Sequence, residues 1–163
     1  MQRRIELSPI SIAAMSDEST SPITHEYALR CSAEHAFATY TGRIGEWWDP
    51  RYTANAETLE AVTIDPRVGG RVYATHSDLG EDDWGTVTVW QPARRLVHTF
   101  TLAQDARHPS EVAAEFVPNE AGPGCTLRFA HGGWNEANAT VREKFGDWPV
   151  MLDRFAALAD SEG

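Results

Sequence analysis

Cysteine is scarce in this sequence. Only Cys31 and Cys125 occur among 163 residues, and they form no C-x-x-C pair. A scaffold held by disulfides and a zinc site built on thiolates are therefore not indicated. Cys31 ends the first predicted strand and Cys125 begins the last, so a bond between them is geometrically conceivable. We nevertheless expect two reduced thiols in a cytoplasmic protein.

Long apolar runs are missing as well. No stretch approaches the ~20 apolar residues that a membrane-spanning helix requires. Glu6 and Pro9 interrupt the short mixed segment after the first basic residues, which argues against a signal peptide. We expect residues 1–21 to form a mobile N-terminal extension and residues 22–163 to form a single domain.

Basic residues are too few and too dispersed for a nucleic-acid interface. The 14 Lys and Arg residues are outnumbered by 24 Asp and Glu residues, and the formal net charge is −10. Nucleic-acid binding relies on clustered basic side chains that replace counterions on phosphate. A negative field also disfavours anionic membranes. Neither nucleic acid nor a membrane is expected as a partner.

The motifs of phosphate loops, nucleophile elbows, zinc proteases and EF-hands are also absent. The acidic residues 78–83 lack the spacing of a calcium loop, and we interpret Ser77 to Asp83 as a solvated hairpin loop. No cofactor and no metal are expected. No residue is assigned a catalytic role, and a binding protein is favoured over an enzyme.

The sequence does contain alternating apolar and polar residues, which are typical of half-buried strands. Proline and glycine separate these segments, as in the reversal at residues 65–70. Short connections between strands favour antiparallel pairing. A seven-stranded meander is predicted, with strands at residues 23–29, 59–64, 71–76, 84–90, 95–102, 112–117 and 125–131.

Helical periodicity flanks these strands. A short helix over residues 33–40 is capped by Ser32, and a second turn covers residues 44–48. The last helix begins either at Asp147, with Pro149 in its first turn, or near Asn138 with a kink. A long amphipathic helix cannot bury its apolar side alone, so we expect a twisted sheet to curl around it. The apolar stripe of this helix consists of Phe145, Trp148, Leu152, Phe155 and Ala159.

These segments resemble a known superfamily in the order of their motifs along residues 22–160. The motifs are Trp47-Trp48, Asp65-x-Arg67-x-Gly69-Gly70, Gly85-x-Val87, Pro92-x-Arg94-Arg95-Leu96-Val97, His131-x-Gly133-Trp134 and Gly146-x-Trp148-Pro149. The sequence is similar to the helix-grip (SRPBCC) superfamily of START domains, polyketide cyclases and birch-pollen-allergen-like proteins. Within it, the chain most resembles bacterial relatives of the activator of heat-shock-protein-90 ATPase. Residues 1–21 have no counterpart there, and Asp147 separates a glycine and a tryptophan that are usually adjacent.

The resemblance implies an α+β helix-grip fold. In this fold a seven-stranded antiparallel sheet curls around a long C-terminal helix, two short helices follow the first strand, and a cavity lies between sheet and helix. The resemblance implies no single activity, because members range from lipid carriers to cyclases.

His25 and His131 are candidates for the polar end of such a cavity. They lie on the first and last strands, which are neighbours in this fold, so both can face the cavity. One interpretation makes them ordinary hydrogen-bonded histidines, and another makes them polar anchors for a ligand. A metal pair or a general base is a third interpretation, but the sequence supplies no third ligand and no obvious partner.

Aromatic residues exceed what a minimal core requires. They either fill the interior or form a wall for an apolar, ring-bearing ligand. The candidate ligand-binding residues are His25, Tyr27, Trp47, Trp48, Tyr73, Trp84, Phe100, Phe116, His131, Trp148, Leu152 and Phe155.

Three functional hypotheses follow. The first is that the protein binds a small apolar or aromatic molecule, without covalent chemistry, as a monomer or homodimer. The second is a chaperone-associated interaction module of the heat-shock-protein-90 ATPase activator type. The third is a polyketide cyclase or dehydratase-like enzyme, for which His25, Tyr27 and His131 are the acid–base candidates.

Overall fold

A computed structural model describes residues 20–162 of the chain. The predicted mobile extension, residues 1–21, therefore lies outside the described residues except for its last two positions. The carbonyl oxygen of Ser21 accepts a hydrogen bond from Arg142 Nε at 2.9 Å. This contact ties the start of the described chain to the segment that precedes the C-terminal helix.

Seven strands pair antiparallel into one sheet, and the predicted α+β helix-grip fold is confirmed. The order across the sheet is β1-β7-β6-β5-β4-β3-β2, which places the first strand beside the last. The strands are β1 (Ile23–Leu29), β2 (Leu59–Ile64), β3 (Arg71–His76), β4 (Gly80–Gln91), β5 (Arg95–Phe100), β6 (Ser110–Pro118) and β7 (Cys125–Gly132).

Two short helices connect β1 to β2, and one long helix follows β7. The helices are α1 (Ala33–Gly42), α2 (Ile44–Trp47) and α3 (Trp148–Glu162), with 3-10 turns at Pro50–Tyr52 and Ala139–Phe145. Ser32 caps α1 as predicted, because its Oγ accepts a hydrogen bond from the backbone N–H of His35 at 3.0 Å. Of the two predicted starts for the last helix, the structure has the later one. Pro149 then lies in the first turn, where its missing N–H leaves no helical bond unmade.

The predicted acidic loop over Ser77 to Asp83 is wrong for its second half. Strand β4 already begins at Gly80, so the turn itself is only three residues long. Arg71 on β3 explains the difference, because its guanidinium pairs with Glu81 at 2.9 Å and also with Asp83. Cross-strand pairs of opposite charge stabilise a sheet, so acidic residues that look like a loop can form a strand here.

The sheet is curled, and its two faces differ. Side chains on the inner face are buried against the helices, while alternate residues on the outer face remain partly or fully exposed. Gly85 in β4 permits the close approach of β5, since a Cβ at this position would lie 1.8 Å from the carbonyl oxygen of Thr99. No helix within residues 20–162 combines the length and the apolar character needed to cross a bilayer.

Candidate functional site

An open cavity of about 450 Å³ lies between the start of α3, the end of β5 and the 3-10 turn that follows α2. Four of the five aromatic side chains that line it contact one another: Trp48, Phe100, Phe145 and Trp148. We call these four residues the cavity wall. The remaining lining residues are Arg51, Tyr52, Thr53, Ala54, Asp82, Leu102, Ala103, Lys144, Asp147 and Met151.

The rings of the cavity wall hold one another in edge and tilted arrangements. Trp148 meets Trp48 edge-on at 5.6 Å between ring centroids, and Phe100 lies 5.8 Å from Trp148. Phe145 packs against Phe100 at 6.0 Å. Aromatic pairs at such distances stabilise each other by about 0.5–1.5 kcal/mol beyond area burial. The wall is therefore formed before any ligand enters.

A buried chain of hydrogen bonds fixes the orientation of Trp148. Its indole Nε1 donates to His131 Nδ1 at 3.0 Å, and His131 Nε2 lies 2.6 Å from Ser110 Oγ. An indole N–H can only donate, so Nδ1 of His131 carries no proton and the neutral ring has its proton on Nε2. That proton is donated to Ser110, whose hydroxyl in turn donates to the carbonyl oxygen of Phe100 at 3.3 Å. The chain thus connects two residues of the cavity wall through the sheet.

This arrangement leaves His131 no free nitrogen for acid–base chemistry. Burial lowers the pKa of His131 to about 3, and the charges of His98 and Arg142 act in the same direction. The ring is therefore neutral near pH 7, and both nitrogens are engaged by protein groups. Of the three interpretations of this histidine, the geometry matches the ordinary hydrogen-bonded one.

Two hydrogen bonds span the mouth of the cavity. Tyr52 donates its hydroxyl proton to Asp147 Oδ2 at 2.9 Å, which raises the pKa of Tyr52. Lys144 Nζ donates to the carbonyl oxygen of Ala103 at 3.2 Å. Both bonds are exposed, and each connects the segment before α3 to a facing loop. Neither hydrogen bond involves a fully buried side chain.

The nearby Arg51 is directed toward a buried carboxylate rather than toward a ligand. Its Nη2 lies 2.6 Å from Asp49 Oδ2, and its Nε is 3.1 Å from the same group. Arg154 on α3 approaches Asp49 from the other side at 3.7 Å. The hydrogen bonds from Arg51 lower the pKa of Asp49 to about 2. Asp49 thereby connects the 3-10 turn at the cavity to α3.

Two carboxylates at the cavity keep spare acceptor capacity. Asp82 accepts a long hydrogen bond from Trp84 Nε1 at 3.4 Å, and Asp147 accepts the one from Tyr52. An ionised carboxylate has about four acceptor positions, so each can accept further hydrogen bonds. Chemically, the cavity combines an apolar aromatic interior with hydrogen-bond acceptors at its rim.

Three of the twelve predicted ligand-binding residues, Trp48, Phe100 and Trp148, line the cavity. Five others fill the interior beside it: Trp47, Trp84, Phe116, Leu152 and Phe155 are each at most 2 % exposed.

The remaining four lie outside the lining. Tyr73 is on the outer face, where Arg71 stacks over its ring at 4.2 Å. Tyr27 donates its hydroxyl proton to Asp153 on α3 at 2.7 Å. His25 lies beside Phe129 at 6.3 Å between ring centroids, and its Nε2 is buried without a hydrogen-bond partner among the described residues. His131 lies behind Trp148, so neither histidine contributes to the cavity lining.

Sequence reasoning missed the polar residues of the mouth. Tyr52, Asp82, Lys144 and Asp147 come from four separate stretches of chain that only the fold brings together. One signal was available, because Lys144 is the single lysine of the whole sequence. Phe145 belongs to the predicted apolar stripe, but its position just before α3 places it at the cavity.

The two cysteines and the acidic residues form no further reactive or metal-binding site among the described residues. Cys31 and Cys125 are buried and free, and burial raises the pKa of Cys31 to about 11, so its thiol stays protonated. Within residues 20–162, no group of three or more His, Cys, Asp or Glu side chains is placed to hold a metal ion.

Comparison with known proteins places this geometry in context. Residues 30–160 match the model of a family described as "Activator of Hsp90 ATPase homolog 1-like protein". No curated protein matches the chain. Solved structures with the same fold include protein NE0264 from Nitrosomonas europaea, with a TM-score of 0.66, 14 % identity, and coverage of 90 % of this chain and 98 % of that one.

Two further structures are similar. The solution structure of the Aha1 dimer from Colwellia psychrerythraea has a TM-score of 0.61 at 16 % identity, covering 85 % of this chain and 96 % of that one. Txn09, described as an anthrahydroquino-gamma-pyrone synthase and solved in complex with SUM, has a TM-score of 0.55. It is 28 % identical, with coverage of 86 % of this chain and 98 % of Txn09.

Proposed function

The chain belongs to the Activator of Hsp90 ATPase homolog 1-like protein family, and from this premise we propose that it binds a small apolar or aromatic molecule without covalent chemistry. The ligand occupies the cavity between the sheet and α3. The observation that carries the proposal is the cavity of about 450 Å³ behind four aromatic rings. Ligand sites in proteins are clefts of roughly 300–1,000 Å³ with apolar linings and a few polar groups.

The polar groups at the mouth support a preference within this ligand class. Asp82 and Asp147 hold spare acceptors, whereas Arg51 donates to Asp49 and Lys144 donates to a backbone carbonyl. A ring system that carries a hydroxyl or ammonium group at one end satisfies these carboxylates. A ligand with a carboxylate at that end meets these two like charges, and only the ammonium of Lys144 offsets them, because Arg51 is already paired with Asp49. We expect this function in the reducing environment of the cytoplasm, because both thiols are free.

Three naphthalene probes of equal size test the proposal: 2-naphthol, 2-naphthylmethylammonium and 2-naphthoate. Binding is followed by tryptophan fluorescence and by acetylation of Lys144 with an amine-specific reagent. Because Lys144 is the only lysine, peptide mapping separates its signal from that of the N-terminal amine. We expect the hydroxyl and ammonium probes to bind and to protect Lys144, with 2-naphthoate weakest.

A matched pair of Leu→Trp variants locates the binding site. Leu102→Trp places an indole in the cavity, while Leu79→Trp adds the same bulk at a turn where the side chain is 57 % exposed. We expect probe binding to be lost in the first variant and unchanged in the second. If no probe binds the unaltered protein, or if both variants bind equally well, the cavity is not the ligand site.

A second candidate function is a polyketide cyclase-like enzyme. The likeness to the synthase Txn09, at 28 % identity, favours it. The side chains that can exchange protons with a ligand in the cavity are those of Tyr52, Asp82, Lys144 and Asp147 rather than those of His25, Tyr27 or His131. Turnover of aromatic polyketide substrates that falls in Asp147→Asn and persists in His131→Gln supports this function. Binding without turnover supports the first proposal.

The family description also suggests a chaperone-associated module. Such a role calls for an exposed apolar patch. Among the described residues, the large apolar side chains that are strongly exposed are Val68 and Leu79, which lie at opposite ends of β3. Stimulation of a chaperone ATPase by the purified protein is the test, and a cavity-filled Leu102→Trp variant that stimulates equally well assigns that activity to another surface.

A further inference from the structure

The outer face of four neighbouring strands carries a row of alternating charges. Strand pairing aligns Arg95 on β5 with Glu115 on β6, then with Arg128 on β7 and Glu26 on β1. Strands lie about 4.8 Å apart, so the row extends over roughly 14 Å. All four side chains are exposed. The charges in this row therefore alternate in sign from β5 to β1.

These charges are only loosely paired within one chain. Arg128 lies 3.6 Å from Glu26 and 4.0 Å from Glu115, which is longer than a hydrogen bond in both cases. The side chain of Arg95 makes no ion pair or hydrogen bond to another residue between 20 and 162. Exposed pairs of this kind contribute little to the stability of a single chain. The row therefore retains most of its capacity to bind opposite charges.

Small residues lie beside the charged row. The next row across the same four strands consists of Val97, Ala113, Ala130 and Thr24. Of this row, Thr24, Ala113 and Ala130 line a shallow groove of about 510 Å³ beside the charged side chains, whereas Val97 is buried. Small side chains permit another surface to approach the sheet closely.

We propose that a second copy of this chain docks on the outer face, so that the protein forms a symmetric dimer. A two-fold axis parallel to the strands places the charged row of one copy over that of the other, with the order of the four residues reversed. Arg95 then faces Glu26 of the partner subunit, and Glu115 faces Arg128 of the partner subunit. An axis across the strands would instead place each charge over its own copy. The alternation of sign thus selects one symmetric arrangement, in which the interface is self-complementary.

The expected dimer is weak. Four strands of about eight residues present roughly 500 Å² per copy, which is at the low end for specific interfaces. The net charge of −10 on each copy opposes association at long range. At 0.15 M salt this repulsion is screened beyond ~8 Å, whereas contacts within the interface are closer. We expect a dissociation constant in the micromolar range at this ionic strength. The proposal goes beyond ligand binding and does not depend on it.

Charge-reversal variants test this arrangement by analytical ultracentrifugation at 0.15 M salt. Glu115→Arg places like charges opposite Arg128 of the partner subunit, and Arg128→Glu does the converse. We expect each variant alone to be at least tenfold weaker in self-association than the unaltered protein. An equimolar mixture of the two variants regains dimers, because each then supplies the charge that the other lacks.

The mixture separates a real interface from damage to one chain, because a misfolded variant cannot be rescued by another. Glu120→Arg, in the exposed loop between β6 and β7, changes the net charge as Glu115→Arg does and is its matched control. It should associate like the unaltered protein. A protein that is monomeric up to millimolar concentration overturns the proposal, and so does a dimer that neither reversal weakens or a mixture that fails to restore it.

Discussion

Two aromatic regions of the interior use the same residue types in different ways. One, the closed cluster, consists of Tyr40, Trp47, Phe116 and Phe155, which pack against one another and are each at most 2 % exposed. The cavity wall, by contrast, packs on one side only and faces open space on the other. The two regions differ in the structural elements that face them. The closed cluster receives side chains from α1, α2, β6 and α3, whereas loops and a 3-10 turn stand opposite the wall.

A single helix serves both regions. Phe155 lies in the closed cluster and Trp148 in the cavity wall, and the step of seven residues from one to the other makes about two helical turns. The same apolar stripe on α3 therefore fills one half of the interior and lines a cavity in the other. Aromatic content alone does not determine whether a cavity forms, since that depends on whether the facing element is a helix or a loop.

The largest expected effect is the loss of a ring from the closed cluster. Phe155 is fully buried, so Phe155→Ala leaves a void that helices on several sides cannot fill. We expect a loss of about 3–5 kcal/mol in the free energy of unfolding, measured by urea denaturation. Phe145→Ala is the matched change in the cavity wall, where the ring is only partly buried, and it should cost less than half as much. Equal losses would mean that the two regions are packed alike.

Periodicity predicted the elements but could not separate these two regions. The strands, the Ser32 cap and the stripe on α3 depend on patterns within short segments, which the chain itself displays. Trp47 and Trp48 are adjacent, yet one joins the closed cluster and the other lines the cavity. That distinction depends on tertiary packing that no local pattern records. For the same reason the polar residues of the mouth were missed.

The second expected effect is a loss of folding stability at acidic pH. The unfolded chain binds a proton on His131 near pH 6.5, whereas the native pKa is about 3, so the unfolded state is favoured as pH falls. The native pKa of His98 is lowered to about 4 by burial and acts in the same direction. Each histidine should lower stability by about 1.4 kcal/mol per pH unit below roughly pH 6.

Urea denaturation at pH 6.5, 5.5 and 4.5 measures this effect above the pKa of 3.8 that Asp49 has in the unfolded chain, so the titration of this carboxylate contributes little. In His131→Gln the slope of stability against pH should fall by about half, because one of the two shifted histidines is gone. An unchanged slope would show that His131 is not held neutral by the interior.

A smaller effect is expected where the buried hydrogen-bond chain connects Trp148 to Phe100 within the cavity wall. Trp148→Phe keeps a ring in the cavity wall but leaves Nδ1 of His131 without its donor. A buried acceptor without a partner costs about 1–3 kcal/mol, and that loss should appear in the free energy of unfolding. A double-mutant cycle with His131→Leu isolates the interaction, and a coupling energy near zero would contradict it.

The smallest effect is expected at the mouth, on the open side of the cavity wall. Tyr52→Phe removes the exposed hydrogen bond to Asp147 but keeps the ring, so the stability of the fold should not change measurably. Ligand release should become faster by no more than about fivefold, as measured by stopped-flow fluorescence with 2-naphthol, because one of the two bonds across the mouth remains. Tyr27→Phe removes an equivalent Tyr–Asp bond outside the cavity and serves as the control. Equal changes in release rate for the two variants would show that the Tyr52 bond does not restrict the mouth, and the contrast between a closed cluster and an accessible wall would then depend on the rings alone.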